Sequence, residues 1–193
     1  MSREEEFCRR WAALPDRPDL DEDDLPFFLG WLAEHGPDEW HRWATNSNWD
    51  FGTDLMRWVL DREGCDKGTA LSLYYAAQPD YFAQYDTVEA ARADVSGEGV
   101  ELMIAICENW AAGRYRTYDF RPHAPALEFL EQGPAAMRAL AGDVPWNVPD
   151  DLAGAPIQGA PTDFEGDVVN GIPIAMLRAI KAAGLDPDGP DWD

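Results

Sequence analysis

His41, Asp50, Cys65 and Asp66 are the residues whose types and proximity could do chemistry: an imidazole to take a proton, a thiol to attack, and carboxylates to orient a base or hold a cation. They stand 9, 15 and 1 residues apart, and that order matches no zinc or nucleophile signature. An enzyme on this chain would be centred on His41 and Asp50, which only the fold can bring together. The plainer role for Asp50 and Asp66 is capping, since each precedes a helical pattern and a carboxylate there accepts backbone N–H bonds. Gly52 and Gly68 then permit tight turns or close packing, and Trp49 and Cys65 fill core space.

The sequence has no Gly-rich phosphate loop, G-x-S-x-G elbow or H-E-x-x-H pair, so no catalytic residue, metal ligand or cofactor is assigned. The acidic run from Asp19 to Asp24 lacks the central Gly and terminal Glu of a calcium loop and reads as a helix-leading cap. Asp163, Glu165 and Asp167 alternate as divalent-cation ligands can, although solvated loop acids are the commoner case. His35 and His123 read as cap or surface residues.

These residues are positioned by short helices. Ser2 and Glu5 match a capping box, and Phe7, Trp11 and Leu14 follow at helical spacing, predicting a helix over about residues 3 to 14. Leu25, Phe28, Leu29 and Leu32 form a stripe that ends near His35-Gly36, with Pro26 in its first turn. Pro37-Asp38-Glu39 opens a third helix that stops near Asn46. Leu55 to Leu60 mark a helix closed by Gly64, and Ala70 to Ala77 one closed by Pro79.

A short helix is predicted from Thr87 to Val95, and a central core helix carries Val100, Met103, Ile104 and Cys107 up to Gly113. Residues 114 to 125 read as an irregular or extended link. Further helices cover 126 to 131, 134 to 141 and 173 to 183. Residues 143 to 171, rich in Pro, Gly and Asp, read as a surface loop, and 185 to 193 as a mobile acidic tail. The fold class is mainly α: a single domain over 1 to 193, bundling about seven to nine short helices around a long irregular C-terminal loop.

Of the 193 residues, 37 are Asp or Glu and 15 are Lys or Arg, a formal charge of -22. That field repels phosphate backbones and anionic lipid, disfavouring nucleic acid and acidic membranes as direct partners, and it attracts basic proteins, the plainer reading being solubility or a salt-adapted proteome. The three cysteines have no C-x-x-C spacing and read as reduced, buried thiols. The chain opens without an apolar signal segment and has no membrane-length apolar run, which indicates the cytoplasm. The aromatic group Tyr74, Tyr75, Tyr81, Phe82 and Tyr85 suits a core, or a partly exposed patch that anchors a protein partner.

The most distinctive text is His41-x-x-Ala44, Asn48-Trp49-Asp50-x-Gly52 and Cys65-Asp66-x-Gly68-Thr69-Ala70-Leu71. Over about residues 38 to 80 it resembles a bacterial family catalogued as a domain of unknown function, from which this chain departs by long flanks on both sides. The resemblance implies a small cytoplasmic bacterial protein, of a kind that accompanies toxin or secretion genes as an immunity partner.

The function expected is therefore that of an acidic interaction module, an immunity-type inhibitor occluding a cationic toxin domain such as a nuclease. Glu22, Asp23, Asp24, Asp163, Glu165 and Asp167 would steer the encounter, and Tyr81 and Tyr85 would anchor it. The alternatives are a helical accessory or scaffold subunit and the His41–Asp50 enzyme.

Overall fold

A computed structural model describes residues 1–20, 24–49, 52–94, 96–123, 126–162 and 168–191. Among them the chain forms twelve helices and one two-stranded sheet, so it is mainly α. It packs as two compact units, Met1–Asn48 with Asp163–Asp193, and Trp49–Thr162.

The first unit holds α1 (Arg3–Ala12), α2 (Leu25–Ala33), α3 (Pro37–Asn46), a hairpin of β1 (Val168–Val169) and β2 (Ile172–Pro173), and α12 (Ile174–Ala182). The capping box closes α1 as expected: Ser2 N donates to Glu5 Oε2 at 2.8 Å and Glu5 N to Ser2 Oγ at 3.1 Å. On α2 the buried face is Phe27, Phe28, Trp31 and Leu32, rotated from the predicted stripe. The reason is aromatic packing, for Phe7 lies edge-on to both Phe27, at 5.1 Å between centroids, and Trp31, at 5.3 Å. Cys8 Sγ meets Met176 Sδ at 3.7 Å, tying α1 to α12.

The hairpin pairs Val168 with Pro173 and Val169 with Ile172. Its two-residue turn, Asn170-Gly171, has φ of 51° and 83°, the left-handed pair that matches strand twist and that Asn-Gly adopts readily. The C-terminal end folds back onto α12: Lys181 Nζ donates to Gly189 O at 2.7 Å and Asp191 Oδ1 at 2.6 Å, and Leu185 is buried.

The second unit holds α4 (Asp54–Leu60), α5 (Lys67–Ala76), α6 (Pro79–Phe82), α7 (Val88–Arg92), α8 (Gly97–Ala111), α9 (Ala126–Leu130), α10 (Pro134–Asp143) and α11 (Asp150–Ala153). Helix α8, the expected core helix, buries Val100, Met103 and Cys107 along with Leu102 and Ile106. Helix α5 is buried from Gly68 to Tyr75, on every face. A helix enclosed all round needs neighbours on all sides.

One of those neighbours is the link after α8, which runs extended. Asp119 O accepts from Ala160 N and Ala160 O from Arg121 N, both at 2.8 Å, and Phe120 forms a parallel bridge to Ala160. Tyr118 donates to Pro156 O at 2.6 Å. The stretch expected as a surface loop therefore departs from that reading in its first part: Val144, Trp146, Leu152 and Ala153 are buried, and residues 156 to 160 pack along the link. Apolar side chains scattered among Pro, Gly and Asp have no period, so the pattern hides them.

Candidate functional site

The motif residues separate into two roles. Asp66 caps α5 with a side chain only 1% exposed: Oδ1 accepts from Gly68 N at 2.8 Å. The same carboxylate also accepts from Asp119 N at 2.7 Å and Phe120 N at 3.3 Å. All three donors are backbone amides, and together they fix the extended link against the start of α5. Lys67 N donates to Thr117 O at 2.9 Å, and Ser72 Oγ accepts from His123 N at 2.8 Å, extending the seam.

Gly68 is required there by contact and not by dihedral, since a Cβ on it would lie 1.9 Å from Phe120 O. Thr69 and Cys65 are buried beside it, and burial pushes the Cys65 thiol up from its ordinary pKa. Asp66 thus has its oxygens committed to backbone donors in a buried site. The arrangement gives the Cys-Asp-x-Gly-Thr-Ala-Leu stretch an architectural task.

Of the remaining motif residues, His41 is 0% exposed within the first unit, Asn48 is half-buried, and Asp50 lies outside the described residues. Gly52 has φ of 85°, a left-handed position that suits glycine. Among the described residues no group of three or more His, Cys, Asp or Glu is placed to hold a metal ion.

Of the expected partner-binding residues, Glu22, Asp23, Asp163, Glu165 and Asp167 lie outside the described residues. Asp24 is the exposed N-cap residue of α2. Tyr81 and Tyr85 are brought together. The aromatic run splits between the two roles weighed for it: Tyr74, Tyr75 and Phe82 are core, Tyr81 is 42% exposed and Tyr85 half-buried.

Both tyrosines aim their hydroxyls at one carboxylate oxygen, with Tyr81 Oη and Tyr85 Oη donating to Asp94 Oδ2 at 3.0 and 2.6 Å. The bond from Tyr85, with a further one from Ser96 N, holds the Asp94 carboxyl below the ordinary carboxylate range. The same bond, first among several causes, raises the Tyr85 hydroxyl above the usual tyrosine range. Two aromatic faces are thereby held at fixed angles on the surface.

Beside them opens a cleft of about 530 Å³. Trp49, Gln78, Tyr81, Phe82, Ser96 and Glu98 line it, over a floor of Ala76, Ala77 and Gly99. Gln78 sets the geometry. Its φ of 59° and ψ of 62° are left-handed for a residue with a Cβ, an uncommon and strained state. Pro79 follows it and starts α6, so the chain turns sharply and puts Tyr81 on the rim while burying Phe82. Trp49, expected to fill core space, is instead half-buried on this cleft, and Gln78, Ser96 and Glu98 were missed from sequence. The pattern at Gln78-Pro79 marked the turn but not its hand.

The fold and cleft define a mainly α protein with an aromatic and acidic surface site. Residues 35–119 match the family model described as Domain of unknown function (DUF4274). That match runs beyond the resemblance over 38 to 80, taking in α3 to α8 and the start of the extended link with Asp119. No curated protein and no solved structure matches the chain. No helix among the described residues is long and apolar enough to cross a membrane.

Proposed function

We propose that this chain is an acidic protein–protein interaction module, and most concretely an immunity-type inhibitor that covers a cationic toxin domain such as a nuclease. The observation that carries the reading is the surface at Tyr81, Tyr85 and the adjoining cleft. Partly exposed aromatics, held by hydrogen bonds and set among carboxylates, are the composition of an interface anchor for a basic partner. The charge of -22 supplies long-range steering toward such a partner. Occlusion needs no catalytic group, which agrees with Asp66 being engaged by three backbone amides.

The reading places the protein in the cytoplasm with its partner. Its test is affinity capture on the intact protein from the native host, with a salt step in the elution. A basic toxin domain released by salt, whose activity the purified protein then suppresses, supports the reading. Capture that is indifferent to salt, or a captured basic domain left fully active, overturns it.

A further inference from the structure

We propose that the cleft between Trp49 and Phe82 is an arginine-recognition site, which takes a guanidinium from the basic partner together with the backbone that carries it. The inference rests on the interaction reading above and names the chemistry of its anchor. Three features of the cleft select this occupant.

The first is charge. Glu98 is exposed on the cleft wall and engages in no ion pair or hydrogen bond among the described residues, which leaves its carboxylate uncommitted. In the sequence, the segment 78 to 101 that supplies most of the lining carries six acids (Asp80, Asp86, Glu89, Asp94, Glu98, Glu101) against the single base Arg92. That base is already spent on Glu101. Among the described residues Glu98 is the one charged residue of the lining, so an anionic group would meet repulsion there and a cation attraction.

The second is the aromatic lining. Trp49 and Tyr81 present partly exposed rings, with Phe82 behind them standing edge-on to Tyr81 at 5.0 Å between centroids. Aromatic faces attract cations through the ring quadrupole, and a planar guanidinium stacks on them while its N–H fork remains free for a carboxylate. A lysine ammonium fits the charge but neither the stacking nor the two-pronged contact to Glu98.

The third is size. About 530 Å³ is the volume of a small-ligand site and exceeds a single side chain, which is why the adjoining backbone is included. Gln78 and Ser96 on the walls offer amide and hydroxyl groups to such a backbone. Ala76, Ala77 and Gly99 contribute small side chains to the lining.

The experiment is a nuclear-magnetic-resonance titration of the full chain with the capped tripeptide Ala-Arg-Ala and, separately, with the same peptide carrying citrulline, which keeps the shape and loses the charge. The expected result is saturable shifts at Ser96, Gly99 and the Trp49 indole, with affinity for the arginine peptide about tenfold above that for citrulline. Glu98→Gln, an exposed and nearly isosteric change, is expected to shrink that preference to about twofold or less. Equal affinity for the two peptides, a preference unchanged in Glu98→Gln, or shifts confined to residues away from the cleft would each overturn the proposal. The titration involves no partner protein, so its failure is separate from that of the interaction reading. A captured toxin domain with a null titration removes the arginine site alone, whereas a positive titration with no basic partner leaves the site and removes the inhibitor.

Discussion

Replacing Asp66 by Ala removes one buried carboxylate and strips three backbone amides of their acceptor: Gly68 N at 2.8 Å, Asp119 N at 2.7 Å and Phe120 N at 3.3 Å. An ordinary N-cap is worth about 1 kcal/mol, and that is what the sequence position of Asp66 predicts. The structure raises the figure. A hydrogen bond to a charged group contributes roughly 1.5 to 3 kcal/mol net, and a buried donor left unpaired adds its desolvation cost. Two short bonds and one long bond, less the relief of no longer burying a charge, give a loss of about 3 to 5 kcal/mol.

Asp66→Asn keeps the shape and one carbonyl acceptor but turns an NH2 toward the other donors. Its loss is expected to be about 2 to 3 kcal/mol. Against a total stability of roughly 5 to 15 kcal/mol, the Ala variant is close to unfolding. Urea denaturation measures both losses, and amide hydrogen exchange at Asp119 and Phe120 shows whether the link has come free. A loss for Asp66→Ala of about 1 kcal/mol, with exchange at 119 and 120 unchanged, would refute the reasoning and reduce Asp66 to a simple cap.

Two glycines divide on contact geometry: Gly68→Ala puts a methyl 1.9 Å from Phe120 O and is expected to cost several kcal/mol, more than about 3, in thermal and urea unfolding. Gly99→Ala in α8 makes only ordinary contacts and is expected to be neutral or to stabilise by about 0.5 kcal/mol. Burial pushes the thiols of Cys8 and Cys107 up to about 12 and that of Cys65 higher still, so all three stay protonated at neutral pH. Ellman's reagent should label them slowly in the native protein and fully in denaturant, and a fast native phase would contradict the burial. Because the Asp94 pKa is lowered, its contribution is complete above about pH 4 and is lost as pH falls through the folded-state value. Tyr85→Phe should therefore lower the Tm at neutral pH by an amount that disappears in acid, and a pH-independent difference would remove the link to Asp94.

The capping box at Ser2, the Pro37 start and the core stripe of α8 were legible because each is decided within one or two turns of chain. Asp66 was legible as a cap for the same reason, but its partners 53 and 54 residues on were not, since nothing local marks where an extended link will pass. The Asn170-Gly171 hairpin carries a strong local signal, flanked by Val168, Val169 and Ile172. It was submerged in a stretch whose Pro and Gly content reads as loop. The candidate site was half legible. The type and clustering of Tyr81 and Tyr85 marked a partly exposed aromatic group, whereas the left-handed Gln78 that exposes one ring and buries the next cannot be read from composition.

The seam between α5 and the extended link also bears on how the chain comes to be folded. During synthesis α5 leaves the ribosome about fifty residues before Asp119 and Phe120, and at roughly 5 to 20 residues per second that delay lasts a few seconds. Throughout it, a helix that ends up enclosed from Gly68 to Tyr75 lacks the extended link that closes over it, and for the first part it lacks α8 as well. The newborn chain therefore exposes the backbone notch at Gly68 and an apolar helix until residues 119 to 160 arrive and close over them. Ribosome stalling anywhere between residues 80 and 119 would leave the second unit open to chaperones and proteases at its most apolar point.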